Sequence, residues 1–89
     1  MTSVVMTHAV GDMDTWLAGG PNRKPAFDQF CDSYRLFRHT DDNRVSIVCD
    51  GVDLEKMKEV LSSEMAAKAK EADTVLDPIE AFILIEGGQ

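Results

Sequence analysis

The stretch that most restricts the fold runs from Tyr34 to Lys56, Y-R-L-F-R-H-T-D-D-N-R-V-S-I-V-C-D-G-V-D-L-E-K. From Arg44 to Asp50, Val45, Ile47 and Cys49 alternate with Ser46, Val48 and Asp50, the period of two that belongs to a β-strand. Ser33 to Thr40, rich in aromatic and long side chains, reads as its partner. Asp41-Asp42-Asn43 lies between them, and short polar side chains that bond their own backbone favour a tight hairpin loop there. Gly51-Val52-Asp53 ends the second strand, with Asp53 placed to accept from the free N–H groups of a following helix. The segment therefore specifies strand, turn, strand and helix start.

The flanking segments extend this pattern. Ser3 to Val10 is short, β-branched and apolar on both faces, as expected of a central strand: Val4, Met6 and His8 share one face, and Val5, Thr7 and Ala9 the other. After Gly11, Asp12 or Asp14 is suited to cap a short helix that carries Trp16 and Leu17. Gly19-Gly20-Pro21 interrupts it, Pro21 to Lys24 reads as a loop, and Pro25 restarts a helix with Phe27, Phe30 and Cys31 at helical spacing. Leu54, Met57, Leu61, Met65, Ala69 and Ala72 form one apolar stripe, which predicts a continuous helix to about Ala72. Asp73 to Pro78 reads as a loop, Glu80 to Glu86 as a final strand apolar on both faces, and Gly87-Gly88-Gln89 as a frayed tail.

The order β-α-β-β-α-β predicts an α+β fold of the ferredoxin-like kind, a four-stranded antiparallel sheet with both helices on one face. All 89 residues are expected to form a single domain, 1–89. A chain of this size buries only about 60–65% of its extended surface. Strands apolar on both faces leave a second sheet face with nothing in the chain to cover it, so a homodimer is expected.

Composition excludes several classes. Sixteen acidic against nine basic residues give a formal charge of −7, unsuited to nucleic acid or to an anionic membrane surface. No apolar run is long enough to span a membrane and no signal-peptide pattern opens the chain, so the cytoplasm is the expected compartment. Cys31 and Cys49 lie in no metal-binding spacing and are expected to be buried free thiols, a bridge between them being the alternative. Neither a phosphate-binding glycine loop nor a Ser-His-Asp order is present.

The pieces His8-Ala9-Val10, Asp12-x-Asp14-x-Trp16, Leu36-Phe37-Arg38, Asp42-Asn43-Arg44-Val45 and Val52-Asp53-Leu54-Glu55-Lys56, taken in order, resemble the small dimeric α/β-barrel proteins grouped with the antibiotic-biosynthesis monooxygenases. The resemblance implies two ferredoxin-like subunits packing sheet to sheet into a barrel, each with a pocket between sheet and helices. It implies a choice among cofactor-free oxygenases, isomerases, cyclases and proteins without known activity. Two departures stand out: the Gly19-Gly20-Pro21 break in the first helix, and the lack of the helical histidine that the haem-handling branch uses as axial ligand. No cofactor and no metal are expected.

Four residues are candidates for a small-molecule site. His8, near the end of a central strand, has an ordinary pKa near 6.5 and is suited to proton transfer; a core histidine bonded to a neighbour is the competing reading. Trp16 offers a flat wall for an aromatic ligand, or is simply core. Tyr34 and Arg38 share a strand face and would orient a carbonyl, phenolate or carboxylate if that face lines the pocket, the alternative for Arg38 being a strand-edge ion pair. His39 adjoins the turn and is expected to be solvated, and the Asp41-Asp42 pair is expected to serve the turn backbone rather than to act as paired carboxylates. The leading functional expectation is a cofactor-independent oxygenase, cyclase or isomerase acting on an aromatic or polyketide-like compound, and the alternative is a non-enzymatic ligand-binding or assembly module of the same fold.

Overall fold

The computed structural model describes residues 1–88; Gln89, the last residue of the expected frayed tail, lies outside them. Four strands, β1 (Thr2–Val10), β2 (Ser33–Arg38), β3 (Arg44–Val52) and β4 (Val75–Ile83), form one antiparallel sheet in the order β2-β3-β1-β4. This is the expected ferredoxin-like arrangement. Each crossover carries two short helices rather than one: α1 (Met13–Ala18) and α2 (Gly20–Phe27) precede β2, and α3 (Leu54–Leu61) and α4 (Glu64–Ala72) precede β4.

The period-two reading of the central strands fixes the register. Val4 opposes Cys49, Met6 opposes Ile47 and His8 opposes Val45, all on the face beneath the helices and all buried. Burying Val4, Val45 or Val52 contributes about 1.5–3 kcal/mol each relative to exposure. The hairpin pairs Tyr34 with Cys49, Leu36 with Ile47 and Arg38 with Val45, so these three side chains belong to the helix face. The His39 ring Nδ1 accepts from the backbone N–H groups of Asp41 and Asp42 at 3.0 Å, which closes the loop from its exposed side. Cys31 and Cys49 are free and buried, and burial pushes the Cys49 thiol up to about 12.

Helix starts follow the capping logic. Asp12 Oδ1 accepts from Thr15 N at 2.9 Å, and Asp53 Oδ1 from Lys56 N at 3.1 Å.

Four expectations are corrected. Pro21 to Lys24 is helical, not a loop: Pro21 occupies the first turn of α2, where its missing N–H costs nothing, and Arg23 ties that turn to Trp16 and Asp73. Pro25 accordingly lies inside this helix instead of starting one, and α2 stops at Phe27. The long helix is broken at Ser62-Ser63. The Ser62 hydroxyl donates back to Lys58 O, and Ser63 caps α4 by accepting from Ala66 N at 3.2 Å, so serine competes with the helix backbone on both sides of the break. The buried stripe shifts with it to Val60 and Ala66, leaving Leu54, Met65 and Ala72 exposed. The last strand begins at Val75, ahead of Pro78, which an edge strand tolerates beside the register shift opposite Thr7 and Ala9.

Among the described residues no helix covers the far face of the sheet. Phe37, Leu76, Phe82 and Leu84 are exposed there, beside the partly buried Val5 and Val48.

Candidate functional site

Between the sheet and the helices lies a cavity of about 120 Å³. Its floor is Met6, His8 and Ile47 from the central strands, and its walls include Trp16, Arg23 and Phe27 from α1 and α2. The second helix pair contributes Lys70 and, just past its end, Asp73; Ile79 of β4, partly exposed, lies toward the rim.

His8 is 3% exposed. Its Nδ1 lies 2.9 Å from the carbonyl of Ala9, which can only accept, so Nδ1 carries the proton and Nε2 is left with a free lone pair. Nε2 has no hydrogen-bond partner among the described residues. Burial, the largest influence, holds the ring's pKa below 6.5; the Ala9 carbonyl works against this, and the positive charges of Arg23, Lys70 and Arg44 add to it. The imidazole is therefore neutral at physiological pH, with its basic nitrogen unused.

Trp16 organises the other groups. Its ring meets His8 edge-on with centroids 6.2 Å apart, and the Arg23 guanidinium carbon sits 4.0 Å from its ring centroid. Arg23 Nη2 donates to the Trp16 carbonyl at 2.6 Å and lies 3.6 Å from Asp73 Oδ2. Arg23 and Asp73 are 6% and 5% exposed, which makes this a buried ion pair joining the two helical crossovers. Nη1 of Arg23 is buried and has no protein partner among the described residues. Asp73 approaches closely because residue 19 is glycine: a Cβ there would meet Asp73 Oδ1 at 2.3 Å.

Of the four residues singled out in the sequence, His8 and Trp16 are brought together on the cavity. Tyr34 shares the helix face but packs behind Phe27, ring centroids 5.0 Å apart, and Arg38 is exposed at the far end of β2; neither lines the cavity. The sequence reading missed Arg23, Asp73 and Lys70. Only the glycine at position 19 hinted at a close approach, and it read equally well as a helix stop.

Among the described residues no group of three or more His, Cys, Asp or Glu side chains could hold a metal ion, and no helix is long and apolar enough to cross a membrane.

The sequence matches no family profile and no curated protein sequence. Solved structures do match, over nearly the whole chain. A putative antibiotic biosynthesis monooxygenase from Bordetella bronchiseptica superposes with a TM-score of 0.71 at 16% identity, covering 97% of this chain and 98% of that one. SnoaB, a cofactor-independent oxygenase from Streptomyces nogalater, gives 0.68 at 14% identity, covering 99% and 93%. A NIPSNAP family protein of unknown function from Agrobacterium tumefaciens gives 0.60 at 12%, covering 94% and 86%. The chain thus has the ferredoxin-like fold of the antibiotic-biosynthesis-monooxygenase-like proteins, as its sequence pieces suggested. Identities this low define a fold shared by proteins with and without known activity, so the chemistry has to be read from the pocket's own side chains.

Proposed function

We propose that this protein is a small-molecule enzyme of the dimeric α/β-barrel type whose chemistry begins with proton abstraction by His8. The observation that carries the reading is the neutral His8 ring, its tautomer fixed by Ala9 O and its Nε2 unpaired, on a cavity walled by Trp16. A step of this kind opens the way to an isomerase, a cyclase or a cofactor-independent oxygenase, and the likeness to SnoaB favours the last. The cavity, about 120 Å³, is on the scale of the roughly 150 Å³ apolar cavity that holds benzene, so the substrate class narrows to single-ring aromatic or enolisable compounds rather than fused polyketides. Trp16 is the stacking wall.

The uncovered sheet face, with Phe37, Leu76, Phe82 and Leu84 exposed, is the surface on which a second copy packs. Large apolar side chains left exposed on one sheet face favour a partner there, with the Thr7–Ser46 and Arg44–Glu80 pairs of the same face supplying polar contacts among them.

Native mass spectrometry of the purified protein, compared with its denatured mass, tests both parts. The expected result is a dimer carrying a small non-covalent mass that disappears on denaturation. The His8→Gln variant should keep the dimer and the bound compound but lose turnover of it. An empty monomer, or full activity without His8, refutes the reading.

A further inference from the structure

Arg23 is the group that proton abstraction leaves unexplained. It is buried on the cavity with Nη1 unpartnered, while Nη2 is already engaged by the Trp16 carbonyl and faces Asp73. A buried donor without an acceptor is destabilising, and an occupant supplying an oxygen relieves it. The charges point to the kind of oxygen. A chain with a formal charge of −7 lines this cavity with two cations, Arg23 and Lys70, against one anion, Asp73, beside a neutral His8. The net charge of the lining is positive within an acidic protein. Lys70, at the rim, also reaches Asp77 at 3.2 Å, whereas Asp77 is not part of the lining.

The number of free donors limits the anion. A phosphate would call for several fixed donors, whereas Arg23, with Nη2 already engaged, has its Nη1 end left to give. The remaining walls, Met6, Trp16, Phe27 and Ile47, suit an apolar body.

From this geometry we infer that the pocket is an anion site whose ligand is a compact monocarboxylate, one carboxylate oxygen held by Arg23 Nη1 and its apolar ring against Trp16 and Phe27. The inference rests on the pocket being the ligand site proposed above and adds the charge and anchor of the ligand. Arg23 is the anchoring residue: the Trp16 carbonyl and Asp73 hold the Nη2 end of its guanidinium, and the buried Nη1 is left to meet the carboxylate of an entering ligand. The carboxylate is then fixed beside the imidazole that is to take a proton from an acidic substituent of the ring, a phenolic O–H or a C–H next to a carbonyl.

Benzoate and benzamide, nearly identical in shape and different in charge, are the probes. Trp16 is the only tryptophan, so its indole N–H gives one resonance that reports on the cavity of the wild-type protein. Benzoate is expected to shift it and to bind at least about tenfold more tightly than benzamide, the ratio appropriate to a charge-assisted bond replacing a neutral one. The Arg23→Met variant, checked for native dispersion of its spectrum, should bring the two probes to parity. Equal binding of both to the wild-type protein overturns the anion site while leaving the pocket as a ligand site, the result expected if water alone satisfies Nη1. If neither probe moves the Trp16 resonance, the ligand-site reading falls with it.

Discussion

Replacing Gly19 by alanine tests the packing that holds the pocket together. The added methyl would lie 2.3 Å from Asp73 Oδ1, 2.5 Å from Cγ and 2.6 Å from Oδ2, so the whole carboxylate has to move. Asp73 is buried, and its displacement lengthens the 3.6 Å ion pair and leaves the buried Arg23 without its counter-charge. Breaking a buried pair from one side costs about 3–5 kcal/mol; because the carboxylate can shift rather than vanish, about 2–4 kcal/mol is expected here. Backbone strain adds little, since Gly19 has φ −82°, a value open to alanine. Urea unfolding followed by Trp16 fluorescence measures the loss. The decisive comparison is the same substitution in an Asp73→Ala background, where there is no carboxylate to displace. There the cost should fall below about 1 kcal/mol, the residue of exchanging a glycine that also caps α2. A loss under about 0.5 kcal/mol in the wild-type background, or an equal loss in both, would show that the Asp73 contact does not restrict position 19.

Three further outcomes follow from other features. His8 is held neutral with a pKa below 6.5, so the unfolded chain takes up the proton first: its contribution to stability is complete above about pH 6.5, declines as the pH falls toward the lower folded value and then levels off. Urea midpoints at about pH 7.5 and about pH 5.5 should differ more in the wild-type protein than in His8→Gln. Ser63→Ala removes the cap of α4 and should cost about 1 kcal/mol by thermal or urea unfolding, whereas Ser62→Ala, which only deletes a bond back to Lys58 O, should cost less. Gly51→Ala places a side chain at φ +63° and within 2.1 Å of Asp32 Oδ2, so about 2 kcal/mol or more should be lost, falling to about 1 kcal/mol when Asp32 is also alanine.

The strands and their register were legible because a sheet with one covered face imposes a period of two, and Val45-Ser46-Ile47-Val48-Cys49 displays it without interruption. The cap at Asp53, and the one at Asp12 that the sequence left open against Asp14, were legible for the same local reason, since each acts on residues three positions away. The serine pair between α3 and α4 was overlooked because the apolar stripe continues across it, and stripe spacing does not register a backbone that restarts. Arg23 was invisible: it lies in the run Gly-Gly-Pro-Asn-Arg-Lys-Pro, whose composition announces a loop, and its acidic partner belongs to the other crossover. Tyr34 and Arg38 were assigned to the correct strand face, but a face is wider than a cavity, and the ring of Phe27 stands between Tyr34 and the space where it was expected to act.

The segmentation of the helical layer has a consequence for how molecules enter. Its four pieces have six, eight, eight and nine residues, all shorter than the roughly 12–15 at which a helix begins to persist unaided in water. Each is ordered only while it rests on the strands, whereas the ladder beneath is knit continuously through β1. One segment can therefore lift and reseat without unravelling the rest, and amide hydrogen exchange should be quicker in α1 and α4 than in β1 and β3. For the ligand proposed above, such a roof of separately hinged tiles offers a way to the imidazole through a local opening, with the floor that carries it left undisturbed.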